Sequence, residues 1–297
     1  MTDPLPRHLI DELVRRTLAE DLGLAGDLSS TAAVPADRYA TGLVLARAAG
    51  TIAGLEVAMA TFAAVDPSCT VQPEAADGDT VTAGTVLARV TGPARALLTA
   101  ERSALNLLGH ACGIATATRQ VVDAVAGTGV RIVDTRKTTP GLRALEKHAV
   151  RCGGGSNHRF GLYDAVMLKD NHLVAAGGIT AAAAAVRARV GHTVHLEIEI
   201  DHLDQLEEAL AAGADSVLLD NLDDEALARA VQVVDGRAVT EASGGITPER
   251  ARAVAATGVD LISLGWLTHS APRLDVALDL QPNDVSPGQD AFLSSST

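Results

Sequence analysis

The spacing of apolar residues changes along the amino-terminal part of the chain. Over residues 8–21 they recur at helical spacing, which predicts an amphipathic helix. Between residues 39 and 90 they form short runs broken by Gly and Pro, which is typical of β-strands. From Thr99 the spacing is helical again, with Thr99 as the expected N-cap and Glu101 favourable in the first turn. We therefore expect two helices separated by several short strands.

Strand and helix signals alternate regularly in the rest of the chain. The predicted strands are 131–133, 165–168, 194–200, 216–219, 238–240 and 260–264. The helices between them are marked by Pro140 and Gly153 at the ends of the first, by an Ala-rich run over 180–189, and by N-caps at Asp201, Asp223 and Thr247. Six successive β–α units imply parallel strands with crossover helices. Their equal spacing favours a barrel over an open sheet, incomplete relative to the eight-stranded form.

The composition indicates a globular protein that binds neither nucleic acid nor a membrane. The chain has 297 residues, of which 47% are hydrophobic and 2% aromatic, and its net charge is −13. It lacks the basic face and the stacking side chains that nucleic acids need, and no apolar run reaches membrane-spanning length. Because Cys69, Cys112 and Cys152 show neither a disulfide framework nor metal-ligand spacing, a cytoplasmic location is expected.

One turn in the strand-rich region is similar to that of a carrier domain. The sequence DGDTVTAG (77–84) resembles the turn of biotinyl- or lipoyl-type folds. No lysine stands at the usual attachment position, so a compact structural β unit is favoured over a carrier site.

Charged or glycine-rich residues follow each of the six predicted strands. They are Thr135-Arg136-Lys137, Lys169, Glu197 with Glu199, Asp220-Asn221, Glu241 with Ser243-Gly244-Gly245, and Gly265. The carboxyl ends of barrel strands form the active-site face of such folds, so these residues are expected to converge. The SGG and LGW segments fit a phosphate cradle, because glycine lets backbone N–H groups approach an anion.

Residues 134–172 form a basic segment in an otherwise acidic chain. They carry seven basic side chains, and only Glu146 and Asp164 are acidic between Arg136 and Lys169. Local charge at a cleft matters more to a small ligand than net charge does, so the segment indicates a site for small, multiply charged anions.

Several features have more than one interpretation. Glu197 and Glu199 could be inward-facing charges neutralised by the barrel's own lysines. His148, His158 and His172 could form a metal site, although their spacing matches no strong ligand pattern. Lys169 at a strand end could form a Schiff base, as in barrel aldolases. A binding protein that holds phosphoribosyl pyrophosphate without turnover is a further alternative.

The motifs identify a family that the chain resembles, the quinolinate phosphoribosyltransferases. They extend from about Leu9 to about Leu280. The matching segments are EDLGLAGDLSS (20–30), TAERSALNLLGHACGIATAT (99–118), DTRKTTPGLRALEKHAVRCGGGSNHRFGLYDAVMLKDNH (134–172), EIEI (197–200), LLDN (218–221), ASGGI (242–246) and LGWLTHS (264–270). The long central segment is much more specific than any short glycine pattern.

The resemblance implies a fold, a reaction and an assembly. The fold would be α/β, type II phosphoribosyltransferase-like: an α/β sandwich over 1–113, joined by 271–282, an open, incomplete barrel over 114–270, and a flexible tail over 283–297. The reaction would convert quinolinate and phosphoribosyl pyrophosphate, with Mg²⁺, to nicotinate mononucleotide, pyrophosphate and CO₂ in NAD synthesis. The assembly would be a homodimer or hexamer whose sites are completed by the neighbouring subunit.

The resemblance also implies a role for each site residue. Quinolinate would be held by Arg136, His158, Arg159 and Lys169, with Arg102 reaching in from another subunit. Lys137 would meet the pyrophosphate, while Glu199 and Asp220 would bind the ribose hydroxyls and Mg²⁺, directly or through water or substrate. The 5′-phosphate would lie against Ser243, Gly244, Gly245, Leu264, Gly265 and His269, and Thr135 and Trp266 are further expected substrate contacts. Lys137, Glu199 and Asp220 are the expected catalytic residues.

Two related activities compete with this prediction. One is that of a paralogous family linked to molybdate-transport operons, and the other is nicotinate phosphoribosylation. The intact TRKT (135–138), HR (158–159) and KDNH (169–172) motifs favour quinolinate. The sequence GHAC at 109–112 departs from the family pattern. This departure affects the expected packing at the subunit contact and leaves the predicted chemistry unchanged.

Overall fold

The computed structural model of the protein describes residues 3–282. The helices are α1 (Arg7–Leu22), α2 (Leu28–Ala33), α3 (Leu55–Val65), α4 (Ala94–Ala124), α5 (Arg143–Cys152), α6 (Asp170–Ala176), α7 (Ile179–Arg187), α8 (Leu206–Ala211), α9 (Asp224–Val234), α10 (Pro248–Ala256) and α11 (Trp266–His269). The strands are β1 (Tyr39–Ala46), β2 (Gly50–Thr51), β3 (Thr70–Pro73), β4 (Thr80–Val81), β5 (Val86–Pro93), β6 (Arg131–Val133), β7 (Val166–Leu168), β8 (Leu196–Ile200), β9 (Ser216–Asp220), β10 (Val239–Ser243), β11 (Leu261–Ser263) and β12 (Val276–Pro282). The tail predicted over 283–297 lies outside the described residues. None of the described helices is both long and apolar enough to cross a membrane.

The chain divides into two compact units. The first unit contains the chain up to Thr116, the segment Ala144–Gly153 and the chain from Ala271 onward, and the second contains Ala117–Arg143 and Gly154–Ser270. The segment Ala144–Gly153, which the sequence analysis assigned to the barrel, thus groups with the first unit. The side chains of this segment are bonded there: His148 contacts Asp77, and Glu146 contacts His110.

The first unit is built on an antiparallel sheet in the order β12-β1-β5-β3, with β2 and β4 as a separate pair. Along β1, side chains alternate between half-buried and buried, and Val44 and Leu87 belong to its apolar core. Helices α3 and α4 supply further core residues, including Phe62 and Leu108, which are almost fully buried. Such Ala-, Val- and Leu-rich packing suits a chain with few aromatic residues.

Two predictions for this unit are wrong. Residues Leu55–Val65 form helix α3 inside a region predicted as strands only. Helix α4 begins at Ala94 and not at Thr99, so Glu101 lies beyond its first turn. The hydroxyl of Thr99 donates a hydrogen bond to Asp27 (2.9 Å), a tertiary contact that its position in the sequence does not reveal.

The second unit is an α/β barrel of six parallel strands, as predicted. The strand order is β6-β11-β10-β9-β8-β7, so the first strand lies beside the last and only β6 and β7 are edges. Alternate residues of these strands, such as Glu197 and Glu199 of β8, line the interior cavities, while Ile198 and Ile200 between them are buried apolar side chains. This period of two delivers polar groups to the barrel interior.

Local capping explains which helix starts in the second unit were predicted correctly. Asp223 accepts a hydrogen bond from the Ala226 N–H (2.8 Å), and Thr247 caps α10 with Pro248 as its first residue. Two starts are wrong: Pro140 precedes α5, which begins at Arg143, and Asp201 does not cap α8, since a 3₁₀ turn at Leu203–Gln205 intervenes.

Candidate active site

The carboxyl ends of the barrel strands surround a cavity of about 240 Å³. Its lining combines cationic, anionic and hydroxyl side chains with two apolar ones. These residues are Thr135, Arg136, Lys137, His158, Arg159, Met167, Lys169, Glu199, Leu218, Asp220, Glu241, Ser243 and Ser263. We call this cavity the strand-end pocket.

The loop after β6 presents Thr135, Arg136 and Lys137 to the strand-end pocket. The Thr135 hydroxyl accepts the Lys137 N–H (3.0 Å), and the Lys137 carbonyl accepts the Thr268 hydroxyl (2.8 Å), so the loop backbone is fixed. The Arg136 Nε is buried and hydrogen-bonds to no group of the described residues. A buried guanidinium donor without a protein acceptor is suited to an anionic ligand, because leaving it unpaired is costly.

Asp134 organises the next pair of site residues. It is fully buried, and it accepts the His158 N–H (2.9 Å) and the Asn157 side-chain amide (2.6 Å). The His158 Nδ1 accepts the Arg159 N–H (2.7 Å), and Arg159 donates to the Ala165 carbonyl (3.1 Å). Burial and the nearby charge of Arg136 lower the pKa of Arg159 below its ordinary value. The two guanidinium groups are thus held close together, which favours a ligand with more than one negative charge.

The acidic side of the pocket comes from β8 and β9. Glu199 forms an ion pair with Lys169, and its side chain is 10% exposed. Asp220 accepts a hydrogen bond from Asn221 (2.7 Å), whose backbone has a positive φ of 55°. Both carboxylates line the same pocket as the cations. The site can therefore bind anionic groups on one side and hydroxyls or a metal ion on the other.

The loops after β10 and β11 meet at the rim of the barrel. Gly244 has a φ of +93°, and a Cβ there would overlap Asn221 Oδ1, so glycine is required. A Cβ on Gly265 would lie 2.9 Å from the Lys137 side chain. The Trp266 indole donates to the Ile246 carbonyl (3.1 Å), which ties the two loops together. Because glycine has no side chain, the backbone N–H groups at these two positions can contact an anion.

Below the strand-end pocket lies a buried cluster of His158, Glu197 and Glu241. The His158 Nε2 is 3.1 Å from Glu197 and 3.5 Å from Glu241. Burial, and then the charge of Glu197, raises the pKa of Glu241 to about 7. Burial also opposes the ionisation of Glu197, but the hydrogen bond and charge of His158, together with Ser216 and His195, outweigh burial and lower its pKa. A second cavity of about 260 Å³ adjoins this cluster.

The structure brings most of the predicted site residues together. Those that line the strand-end pocket are Thr135, Arg136, Lys137, His158, Arg159, Lys169, Glu199, Asp220 and Ser243. Gly244, Gly245, Leu264 and Gly265 belong to the two rim loops, Trp266 and His269 belong to helix α11 that follows, and none of these six residues lines that cavity. Arg102 is an exposed residue of α4 in the first unit.

Sequence reasoning missed several residues of the site. Ser263 lines the pocket with Met167 and Leu218, and Asp134 fixes the backbone of His158. Glu241, which the sequence analysis expected at the active-site face, also lines the pocket, but no ligand role was predicted for it. The predicted strand 238–240 ended before Glu241 and Ser243, which both lie on β10.

The suggested metal site of three histidines is wrong for the described residues. His158 groups with Glu197 and Glu241, whereas His148 groups with Asp77 and Cys152. His172 belongs to neither group; it accepts the Lys169 N–H (3.1 Å) at the start of α6. Two different candidate metal clusters therefore exist, besides the carboxylates Glu199 and Asp220 of the strand-end pocket.

Comparisons with known proteins agree with this architecture. The family models for quinolinate phosphoribosyl transferase match over both domains, the N-terminal one at residues 27–112 and the C-terminal one at 114–279. A nicotinate-nucleotide pyrophosphorylase [carboxylating] of Mycobacterium leprae is 46% identical, over 91% of this chain and 96% of that protein. A probable one of Bacillus subtilis is 42% identical, over 97% of this chain and 99% of that protein. The crystal structure of NadC from Streptococcus pyogenes has a TM-score of 0.91 at 40% identity, covering 95% of this chain and 100% of that one.

Proposed function

The chain belongs to the quinolinate phosphoribosyl transferase family, and we propose how the strand-end pocket carries out that family's reaction. Quinolinate and phosphoribosyl pyrophosphate are joined to give nicotinate mononucleotide, with release of pyrophosphate and CO₂. The observation that supports this most directly is the charge of one pocket, in which Arg136, Arg159 and Lys169 face Glu199 and Asp220.

The basic side of the pocket suits the two adjacent carboxylates of quinolinate. Arginine grips a carboxylate through two parallel N–H donors, and Arg136 has a buried Nε without a protein acceptor in residues 3–282. Arg159 is fixed at its backbone by His158 and at its side chain by the Ala165 carbonyl. Because both His158 nitrogens lie against protein groups, the contribution of His158 is to orient Arg159 and to fill the pocket wall.

The acidic side and the rim loops suit the phosphoribosyl group. Glu199 and Asp220 can accept hydrogen bonds from ribose hydroxyls, and Lys137 can meet the pyrophosphate. The rim loops, with glycine at 244, 245 and 265, offer backbone N–H groups to the 5′-phosphate. The Trp266 indole holds this cradle in shape through its bond to the Ile246 carbonyl, and Leu264 and His269 are further contacts of the 5′-phosphate in this proposal.

The reaction then needs positioning and electrostatics, with no covalent enzyme intermediate. The pyridine nitrogen of quinolinate forms a bond to the anomeric carbon as the bond to pyrophosphate breaks. Lys137 stabilises the departing negative charge, and Glu199 and Asp220 stabilise the positive charge that develops on the ribose. The pyridinium nitrogen then accepts electron density as the 2-carboxylate leaves as CO₂, and a proton takes its place at C2.

We include Mg²⁺ in the proposal because the donor set fits it. Glu199 and Asp220 offer only oxygen ligands, which magnesium prefers, and two carboxylates leave positions for water and substrate oxygens. When bound, Mg²⁺ neutralises charge on the pyrophosphate.

A product assay tests this function. The protein is incubated with quinolinate, phosphoribosyl pyrophosphate and Mg²⁺, and nicotinate mononucleotide and CO₂ are measured. Nicotinate replaces quinolinate in the matched control, in which no product is expected. If product formed with nicotinate and not with quinolinate, the protein would be a nicotinate-specific enzyme. Binding of phosphoribosyl pyrophosphate without turnover would identify a binding protein, and borohydride trapping at Lys169 with a carbonyl substrate would identify an aldolase.

We also propose that the enzyme is a homodimer or a hexamer, in which Arg102 completes the pocket of another copy. The supporting observation is that Arg102 is exposed on α4, while the pocket lining comes entirely from the second unit. Co-expression of Arg102→Ala with Arg136→Ala chains tests this. Mixed dimers regain activity if Arg102 acts across the subunits, because one site then has both arginines. Activity stays absent if Arg102 acts within its own chain.

A cytoplasmic location completes the proposal. Cys69, Cys112 and Cys152 are buried and belong to no disulfide of the described residues, which suits a reducing compartment. Fractionation of the producing cells, followed by immunodetection, tests it.

A further inference from the structure

The first unit contains a polar cluster that the proposed reaction does not use. His148 and Cys152 are four residues apart on α5, so their side chains lie on the same face of that helix. Asp77 joins them from the loop between β3 and β4. The three side chains offer one nitrogen, one sulfur and one oxygen atom close together.

The distances within the cluster resemble those of a metal site. The His148 Nε2 is 3.4 Å from Cys152 Sγ and 2.7 Å from Asp77 Oδ2, and the sulfur is 4.0 Å from that oxygen. Ligands of tetrahedral zinc are roughly 3.4–3.6 Å apart, given metal–ligand bonds of about 2.0–2.3 Å. The N–S pair already has this separation. The N–O pair is shorter because His148 and Asp77 are hydrogen-bonded, and it has to open by less than about 1 Å.

Asp77 is held as an anion. The Gly54 and Leu55 N–H groups donate to its two oxygens (2.9 and 3.0 Å) at the start of α3. His148 and Cys152 are 4% and 3% exposed, and the Asp77 side chain is 21% exposed. A half-buried carboxylate beside an imidazole and a thiol is a favourable place for a cation.

The cluster also has an accessible side. A cavity of about 230 Å³ is lined by Asp77 and His148, with Leu5, Gly54 and Met59 among its other residues. A solvent molecule could therefore occupy a fourth coordination position. Cys112 does not belong to the cluster, and its sulfur bonds to the backbone of Ala53. Cys112 thus stays outside the ligand set.

We propose that Asp77, His148 and Cys152 bind one divalent cation of the zinc class, with solvent as the fourth ligand. Mixed nitrogen, sulfur and oxygen ligands favour Zn²⁺ or Co²⁺ over Mg²⁺. When the cation binds, the Cys152 thiol loses its proton to solvent. The neutral His148 ring then carries its proton on Nδ1, so that Nε2 can bind the cation. Arg151, whose Nη2 is 3.4 Å from the His148 Nδ1, then turns toward Asp3, which it already contacts. The cation links α5 to the β3–β4 loop.

Cobalt titration of the full-length protein tests the proposal. The metal-free protein is mixed with Co²⁺, and the thiolate-to-cobalt charge-transfer absorption is recorded, with Zn²⁺ added afterwards as competitor. The wild type is expected to bind one Co²⁺ per chain and to show the band, and Zn²⁺ should abolish it. Cys152→Ser should lack the band. Cys69→Ser is the matched control and should keep it, because Cys69 is a buried cysteine outside the cluster.

Three results would overturn the proposal. They are a wild type without a charge-transfer band, a band that persists in Cys152→Ser, or a band lost equally in Cys69→Ser. In the first case the cluster is a hydrogen-bonded network only. Circular dichroism verifies that each variant is folded, and His148→Gln provides a second variant that removes a ligand without touching a cysteine. Mg²⁺ at the strand-end pocket gives no such band, so the result does not depend on the proposed reaction.

Discussion

The core cluster around the antiparallel sheet of the first unit is filled with apolar side chains, whereas the barrel of the second unit places carboxylates and hydroxyls on its inward-facing positions. Phe62, Leu87 and Leu108 are almost fully buried in the first unit. At comparable burial the barrel holds Glu197 and Glu241. Burying a carboxylate is costly unless it is paired, so the barrel interior is maintained at the expense of stability.

The difference shows where each unit's residues are replaceable. In an apolar core, the free energy of folding depends on the volume and packing of the side chains, and many side chains contribute to it. In the barrel, Asp134 accepts the backbone N–H of His158, and His158 in turn accepts the backbone N–H of Arg159. Substitutions in the apolar core of the first unit should therefore change stability, whereas substitutions in the strand-end pocket should change turnover.

The largest effect on stability should come from the apolar core. Phe62→Ala removes a buried ring from α3 and should lower the free energy of unfolding by about 3–5 kcal/mol, since it leaves a cavity. Urea denaturation measures this. Leu28→Ala, at a side chain that is 71% exposed, is the control and should change it by less than about 0.5 kcal/mol. A small loss for Phe62→Ala would mean that the core readily collapses around the gap.

Removal of one cationic side chain from the strand-end pocket should lower turnover and leave stability nearly unchanged. Arg136→Ala should lower kcat/KM by a factor equivalent to about 2–5 kcal/mol, because a buried charged contact to quinolinate is lost. Thermal unfolding should be nearly unchanged. Arg229→Ala is the control, since Arg229 forms only an exposed ion pair with Glu225. Near-normal turnover by Arg136→Ala would refute the proposed role of Arg136.

The buried carboxyl of Glu241 should make stability depend on pH. Its pKa is about 7 in the folded chain and ordinarily 4.5, so the folded state retains a proton that the unfolded state loses. Stability conferred by the neutral form is present below about pH 4.5 and is lost as pH rises toward about 7. Glu241→Gln should remove this loss, so its stability relative to wild type should grow by about 3 kcal/mol between about pH 5 and pH 8. If urea denaturation gives the same stability difference between the two proteins at both pH values, the pKa of Glu241 is not raised in the folded chain.

The smallest effects should come from helix caps. Asp27 accepts the Ser30 N–H in the first unit (2.9 Å), and Asp223 accepts the Ala226 N–H in the second (2.8 Å). Asp223→Ala should cost about 1 kcal/mol in urea denaturation, and Asp27→Ala somewhat more because it also loses the hydrogen bond from Thr99, both without loss of kcat. A drop in kcat for one of them alone would show that this cap also positions the site.

Features governed by nearby residues could be predicted from the sequence. The six parallel strands follow from alternating strand and helix signals, and the caps at Asp223 and Thr247 follow from side chains three residues from their partners. Helix starts that depend on distant contacts could not be predicted. Helix α4 begins at Ala94, and Thr99 inside it bonds to Asp27, which is 72 residues away.

The sequence by itself determined the family, the barrel strands and the residues at their ends, because motif identity and a period of two are local properties. Only the tertiary structure decided that Glu241 is buried 3.5 Å from His158 and that the Arg136 Nε is buried without an acceptor in residues 3–282. It also brought Asp77 to His148, 71 residues further along the chain, and so formed a candidate metal cluster that the cysteine spacing did not indicate. Burial and proximity across such separations depend on packing of the whole unit, which no window of sequence contains.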